Sequence, residues 1–329
     1  MRIRILGAGW YGCHLASALS RRGADVSVFD IAADIFQGAS GKIPARLHTG
    51  AHYPRSFDTR AACLRHTSDF MGEYGHLTRG VPTNIYAIAE YDSLIDYHQY
   101  VATLRDEFQF IEIHDPAEYG LRNVEGAILT PERHILADKS REFFQQKIGH
   151  LIHLEEDGRA VGDDWDWTID CTFCAQDAAG VDRYEPCLVL LLQGPTDRAV
   201  TIMDGPFGSL YPWDPGRGLC SLSSARHTPF TKRIDTYERA KGFLDRLEPH
   251  EIRAQAKNMF DHMLTFYPAL EEFEVVDNML SIRAMPKSAA DTRLVDVRRD
   301  GERFLRVRAG KIDAVLDAER LVIEEIENG

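Results

Sequence analysis

Apolar positions recur in two rhythms near the start of the chain. Arg2-Ile3-Arg4-Ile5-Leu6 reads as a short buried strand. From Tyr11 to Arg22 the apolar residues Leu15, Ala16 and Leu19 fall on one face at helical spacing, and Gly23 supplies a stop. A second strand, Asp25-Val26-Ser27-Val28-Phe29, ends at Asp30. Farther on, the pattern predicts helices over 59–74, 93–108, 131–148, 237–247, 250–262 and 314–326. It predicts strands over 83–90, 125–129, 167–170, 187–193, 199–203, 209–211, 219–222 and 304–308. The strands between 183 and 275 are spaced by Gly and Pro turn signals, which points to an antiparallel sheet. There is no internal repeat, low-complexity tract or long linker.

Between the first strand and helix stands Gly7-Ala8-Gly9-Trp10-Tyr11-Gly12, a GxGxxG. Gly7 allows the tight turn, Gly9 lets a pyrophosphate approach the backbone, and Gly12 lets helix and strand pack closely. The helix N-terminus offers free N–H groups and the positive end of its dipole to phosphate. Asp30, followed by Ile31, is placed to accept hydrogen bonds from ribose hydroxyls, and an acid there disfavours the 2′-phosphate of NADP. The corner therefore predicts a dinucleotide site.

Length and composition narrow the class. At roughly 150 residues per domain, 329 residues make about two domains. The shares of 44% hydrophobic and 27% charged residues are those of a globular protein and exclude collagen-like, mucin-like and largely disordered chains. No apolar run approaches the ~18 residues of a membrane span, and the N-terminus does not read as a secretory leader, so a cytoplasmic location is expected. The net charge of −13 repels a phosphate backbone, and the basic groups at Arg21-Arg22 and 298–308 are interrupted by acids, so no nucleic-acid partner is expected. Cys171 and Cys174 form a lone CxxC, half a zinc site at best, and no metal is expected.

After Asp30, a plain NAD-binding unit would continue to a helix and a third parallel strand. Here the chain enters a polar, glycine-rich loop, Gly38-Ala39-Ser40-Gly41-Lys42-Ile43-Pro44-Ala45-Arg46-Leu47-His48-Thr49-Gly50-Ala51-His52-Tyr53-Pro54. On this loop the chain resembles the FAD-dependent oxidoreductases of the D-amino-acid oxidase, glycine oxidase and glycerol-3-phosphate dehydrogenase superfamily. The matching pieces are Gly38-Ala39-Ser40 and Leu47-His48-Thr49-Gly50; the asparagine usual between them is absent, with Ile43 or Pro44 near its place. Trp167-Thr168-Ile169-Asp170-Cys171-Thr172 resembles the family's strand end near the adenosine, with Phe173 in place of a glycine. Ser281-Ile282-Arg283-Ala284-Met285-Pro286 resembles its "G-x-R-P" strand, and Gly310-Lys311 stands where "GHGG" is usual.

The resemblance implies an α/β fold in which a Rossmann-like FAD/NAD(P)-binding domain (1–75, 130–178 and 283–329) is interleaved with an antiparallel-sheet substrate domain (76–129 and 179–282). It implies FAD as cofactor, held by Gly7, Ala8, Gly9, Tyr11, Gly12, Asp30, Ile31, Ala39, Ser40, Arg46, Leu47, His48, Thr172, Gly310, Lys311 and Ile312. Arg46 would meet the pyrophosphate. Lys311 and the helix start around it would face the charge that reduction places on the flavin. Arg283 would anchor a substrate carboxylate through its planar fork, with Lys287 and Arg293 as lesser versions of the same idea. His48 and His52 would contact the flavin or substrate, or act as a base, and Tyr53 and Tyr211 would lid the pocket.

The expected activity is transfer of a hydride to flavin from a C–N or C–O bearing carbon of a small polar substrate, an amino acid, amine or sugar-like molecule. Oxygen or another acceptor would reoxidise the flavin. Three alternatives stay open on the sequence: an FAD enzyme without net redox chemistry, like a sugar-nucleotide mutase; an NAD-dependent dehydrogenase; and a nucleotide-binding scaffold or sensor.

Overall fold

In a computed structural model, described here for all residues but 44, 163, 174, 176–180, 287–293 and 329, the strand Arg2–Leu6 becomes the centre of a sheet. Its six strands run in the order Asp296–Arg299, Phe304–Arg308, Trp167–Asp170, Arg2–Leu6, Asp25–Asp30, Ile152–Leu154. All neighbours are parallel except the first pair. Ile3, Ile5, Val28 and Ile169 are fully buried, as strands covered on both faces require. The helix Trp10–Arg21 packs on this sheet through Cys13, Leu15, Ala16 and Leu19. It ends in a Schellman motif, with Gly23 at φ +85° and the amides of Gly23 and Ala24 donating to Ser20 O and Leu19 O. The C-terminal helix Val315–Glu327 covers the same core through Val315, Ala318 and Val322.

The second sheet has eight strands, in the order Glu274–Pro286, Val181–Gln193, Leu219–Ser224, Gly208–Asp214, Arg198–Met203, Thr83–Ala89, Val124–Leu129, Ile111–Ile113. Its neighbours are antiparallel apart from the pair Arg198–Met203 and Thr83–Ala89. Strand alternation sorts its residues by face. Ile85, Ala87, Val200, Ile202 and Leu210 join the core under the helix Pro249–Leu264. Tyr86, Thr201, Ser209 and Tyr211 turn to the opposite face, where they meet the loop around Arg46.

The chain departs from the sequence expectations in its short elements. The helix expected from residue 131 begins at Ala137, because Arg133–Ile135 is instead the middle strand of a small sheet between Arg46–Leu47 and Thr78–Gly80. The Pro131-Glu132 start signal preceded a strand with two partners distant in sequence. The helix expected over 93–108 is limited to Tyr97–Leu104, capped by Asp96 on the Gln99 amide at 2.8 Å. The strands expected to begin at 187 and 281 start at Val181 and Glu274 and pair along their length.

His134, at the middle of the small sheet, is buried, and burial beside Arg79 and Arg133 lowers its pKa to about 4. The unfolded chain therefore takes up this proton first as pH falls below about 6.5. The contribution of a neutral His134 is complete above that value and is lost on the way down to the folded-state pKa. At pH 5 the loss is about 2 kcal/mol. Denaturant melts at pH 7 and pH 5 should show that His134→Leu removes this share of the acid sensitivity; equal losses in both proteins would refute it.

Candidate functional site

The glycine corner is tight. Gly7 has φ +95°, and a Cβ on it would lie 2.9 Å from the Cys171 carbonyl oxygen. A Cβ on Gly12 would come within 1.9 Å of the Gly7 carbonyl oxygen. Gly9 is the N-cap of the first helix and supplies no side-chain cap, so the helix presents its leading amides to an anion. Asp30 points at this corner: its Oδ2 accepts from the Ala8 amide at 2.7 Å and its Oδ1 from the Ala32 amide at 2.9 Å. A carboxylate has about four lone-pair sites, so acceptor capacity remains for hydroxyl donors. The short helix Ala39–Lys42 folds over the corner, with Ser40 Oγ accepting from the Trp10 amide at 2.9 Å. Ile31 is exposed beside Asp30. Thr172 is fixed through its amide and hydroxyl to Asp170 Oδ1, at 2.9 and 2.6 Å. These residues fit the adenosine and pyrophosphate of a dinucleotide. Gly7 and Gly12 have no room for a Cβ, the helix is entered through a glycine N-cap, and a carboxylate stands at the rim.

The loop leaving this corner enters a polar cluster on the inner face of the eight-stranded sheet. Arg46 donates to Thr201 Oγ1 at 3.1 Å and Ser209 Oγ at 2.6 Å, and its guanidinium lies 4.1 Å over the Tyr211 ring. Tyr211 in turn donates to the Arg133 carbonyl at 3.1 Å. His48 stacks on His52 with ring centroids 4.9 Å apart, and both meet the edge of Tyr53. His48 Nδ1 is 3.2 Å from Tyr86 Oη and 3.5 Å from Glu132 Oε2. Tyr86 donates to Glu132 Oε2 at 2.8 Å, and the Thr49 amide donates to Oε1 at 3.3 Å. Burial, with Lys311 and Arg46 nearby, holds the pKa of His48 well below the usual imidazole range. Burial does the same to His52, helped by His48, Arg46 and Lys311 against the pull of Glu132. Both rings are therefore neutral near pH 7. Burial raises the pKa of Glu132, against the opposing influence of Tyr86, His52, Arg46 and the Thr49 amide.

Lys311 and Arg283 each meet a carboxylate of the protein. Lys311 Nζ is buried 3.0 Å from Asp313 Oδ2 and 3.0 Å from Cys63 Sγ. Burial alone would lower its pKa; the Asp313 carboxylate, with Tyr53 and Cys63, outweighs this and holds it protonated. Its charge is thus balanced by a buried carboxylate of the protein. Tyr11 Oη donates to the Lys311 carbonyl at 2.5 Å, which ties the first helix to this segment; Gly310 and Ile312 flank it. Arg283 sits directly across the sheet from Glu185, and its Nε and Nη2 reach Glu185 Oε2 at 3.0 and 2.5 Å. Glu185 is fully buried and also takes Arg183 Nε at 2.8 Å. Burial pushes Glu185 up, but the two arginines prevail and lower its pKa. The fork expected for a substrate carboxylate is engaged by an inter-strand acid. Lys287, Arg293 and Cys174 lie outside the described residues.

Glu132 and Tyr86 had no sequence signal. Glu132 looked like a helix start, and Tyr86 is one aromatic in a strand of apolar residues. The clefts on the far edge of the eight-stranded sheet, of about 210 Å³ by Ser93–Gln99 and about 600 Å³ by Arg105–His114, hold none of these groups. Among the described residues no group of three His, Cys, Asp or Glu side chains is arranged to hold a metal ion. No described helix is long and apolar enough to cross a membrane.

Residues 5–74 match the family model of an NAD(P)-binding Rossmann-like domain. The FAD-dependent monooxygenase FPY4 of Fusarium mangiferae is 33% identical over 98% of this chain and 90% of its own length. Among solved structures, glycine oxidase from Geobacillus kaustophilus superposes with a TM-score of 0.73 at 15% identity, covering 99% of this chain and 95% of that one. Fructosyl peptide oxidase from E. terrenum superposes with a TM-score of 0.76 at 12% identity, covering 99% and 89%.

Proposed function

The chain belongs to the family of the FAD-dependent monooxygenase FPY4 and shares the fold of glycine oxidase, and on that premise we propose that it takes a hydride from a C–N or C–O bearing carbon of a small polar substrate. The observation that carries this reading is the pair of neutral, buried histidines, His48 and His52, set among Arg46, Tyr86 and Glu132. FAD, the cofactor of the family, supplies the hydride acceptor. Gly7, Ala8, Gly9, Gly12, Asp30, Ile31, Ala39, Ser40 and Thr172 would hold its adenosine and pyrophosphate. Tyr11, Arg46, Leu47, His48, Gly310, Lys311 and Ile312 would border the flavin end. A neutral histidine takes the proton that leaves the substrate nitrogen or oxygen. Arg46, with Thr201 and Ser209, offers donors and acceptors to the polar part of the substrate. The rings of Tyr53, Tyr86 and Tyr211 exclude water around them. The same reading assigns 1–75, 130–178 and 283–329 to the cofactor domain and the rest to the substrate domain.

Anaerobic mixing of the yellow holoenzyme with amino acids, N-alkyl amines, 2-hydroxy acids and sugar derivatives tests it. One of these classes should bleach the flavin stoichiometrically. A second reading, oxygen insertion, is supported by the monooxygenase relative that aligns along almost the whole chain. It predicts no bleaching by substrate alone, reduction by NADPH or NADH, and label from ¹⁸O₂ in the product. That result would replace the first reading.

A further inference from the structure

Two histidines compete for the role of base, and only one of them has a fixed proton. Tyr86 has a single hydroxyl hydrogen, and it is donated to Glu132 Oε2 at 2.8 Å. The Glu132 carboxyl group accepts from Tyr86 O–H, Thr49 N–H and, at 3.5 Å, the Thr49 hydroxyl, all donors, which is the arrangement of an ionised acceptor. The Tyr86 oxygen is therefore left as the acceptor toward His48 Nδ1 at 3.2 Å. An acceptor facing Nδ1 keeps the hydrogen on Nδ1 and the lone pair on Nε2. His52 has no such arrangement. Its Nδ1 is buried with no partner among the described residues, and its ring is held by stacking on His48.

We propose that Glu132, acting through Tyr86, is a positioning residue that fixes His48 with its proton on Nδ1 and so makes Nε2 the atom that receives the substrate's proton. This rests on the reading above that a histidine takes that proton. In the oxidation, the substrate C–H bond breaks and its electron pair leaves with the hydrogen as hydride. The N–H or O–H bond breaks heterolytically, its electron pair forms the new C=N or C=O bond, and the proton adds to the Nε2 lone pair. His48 becomes an imidazolium whose Nδ1–H still faces Tyr86, with Glu132 Oε2 3.5 Å away to balance the new charge. The other charged or titratable groups around His48 oppose that charge or are neutral: Arg46, His52 and Tyr53 from its own loop, and Lys311 from the C-terminal segment. From the helix Phe57–Tyr74, Thr67 Oγ1 fixes the His48 carbonyl at 2.9 Å, and Cys63 lies against Lys311. Glu132 is thus the one carboxylate among these described neighbours that can stabilise the imidazolium, and it does so from a buried site where its field is little screened.

The test is the histidine ¹⁵N spectrum of the labelled holoenzyme, with the His48 signals identified by their loss in His48→Asn. Wild-type protein should show His48 protonated on Nδ1, and Tyr86→Phe and Glu132→Gln should move the proton toward Nε2. With a substrate in hand, Glu132→Gln should lower the kcat/KM plateau at least tenfold and shift its acid limb to lower pH, because the imidazolium has lost its counter-charge. A merely structural role would lower activity without moving the limb. If Glu132→Gln fails to fold, Tyr86→Phe removes only a hydroxyl and gives the same ¹⁵N readout. A wild-type His48 protonated on Nε2, or an acid limb that stays in place, overturns the proposal. A His48 protonated on Nδ1 in an enzyme that oxidises no substrate supports the positioning role and overturns the proposed reaction instead.

Discussion

Gly12→Ala is expected to purify without flavin colour and to unfold more easily than the wild-type protein. Helix propensity alone argues the opposite sign, since alanine is favoured over glycine by about 1 kcal/mol in a helix interior. The contact outweighs it. The new Cβ would lie 1.9 Å from the Gly7 carbonyl oxygen, a backbone atom in a turn held at φ +95°. Relief requires the turn or the helix to shift, at about 1–3 kcal/mol for an overpacked site. Either shift moves the helix end away from Asp30 and Ser40, which define the cradle. Gly72, in the helix Phe57–Tyr74, is the control: a Cβ there meets nothing within 4 Å. Gly72→Ala should keep its colour and gain roughly 0.5–1 kcal/mol. The ratio of visible to ultraviolet absorbance after removal of free FAD, with a thermal melt, reads both variants. A yellow Gly12→Ala of wild-type stability would show that the corner is looser than its geometry.

The second large effect belongs to Lys311. Lys311→Met keeps most of the stem volume and removes the cation, which leaves Asp313 fully buried without its partner. Breaking a buried pair from one side costs about 3–5 kcal/mol, because the remaining charge stays desolvated. Asp313→Asn should be costly for the same reason. The double variant should be more stable than the sum of the two single losses predicts, and the cycle should give a coupling of about 1 kcal/mol or more. Denaturant melts of the four proteins measure it. Additive losses would mean that the pair is not formed in solution.

What the sequence made legible was local. Strand, glycine turn, helix and second strand follow one another within thirty residues, and each signal concerns neighbours in the chain, so Gly7, Gly12, Gly23 and Asp30 were readable without the fold. The polar cluster was legible only in part. His48, His52 and Arg46 stand together in one loop, whereas Tyr86 and Glu132 reach them from a strand and a connection well apart in sequence. Glu132 was hidden further because Pro131-Glu132 imitates a helix start, while the next three residues find strand partners at Arg46–Leu47 and Thr78–Gly80. Arg283 shows the converse. Its position on a strand was foreseen, but its counter-ion Glu185 is 98 residues away and becomes its neighbour only through the register of the long hairpin-like pairing. A charge reads as available until the residue opposite it is known.

The order of strands in the six-stranded sheet bears on how the protein is made. Arg2–Leu6, synthesised before its partners, pairs on one side with Asp25–Asp30 but on the other with Trp167–Asp170, which itself needs Phe304–Arg308 as a neighbour. More than 160 residues separate the glycine turn from the Cys171 carbonyl that packs against it, and about 300 separate it from Lys311. Contacts this distant form late. Nascent chains should therefore stay unable to retain FAD until the segment around Lys311 has emerged, exposing an unfinished sheet edge that chaperones would have to shield.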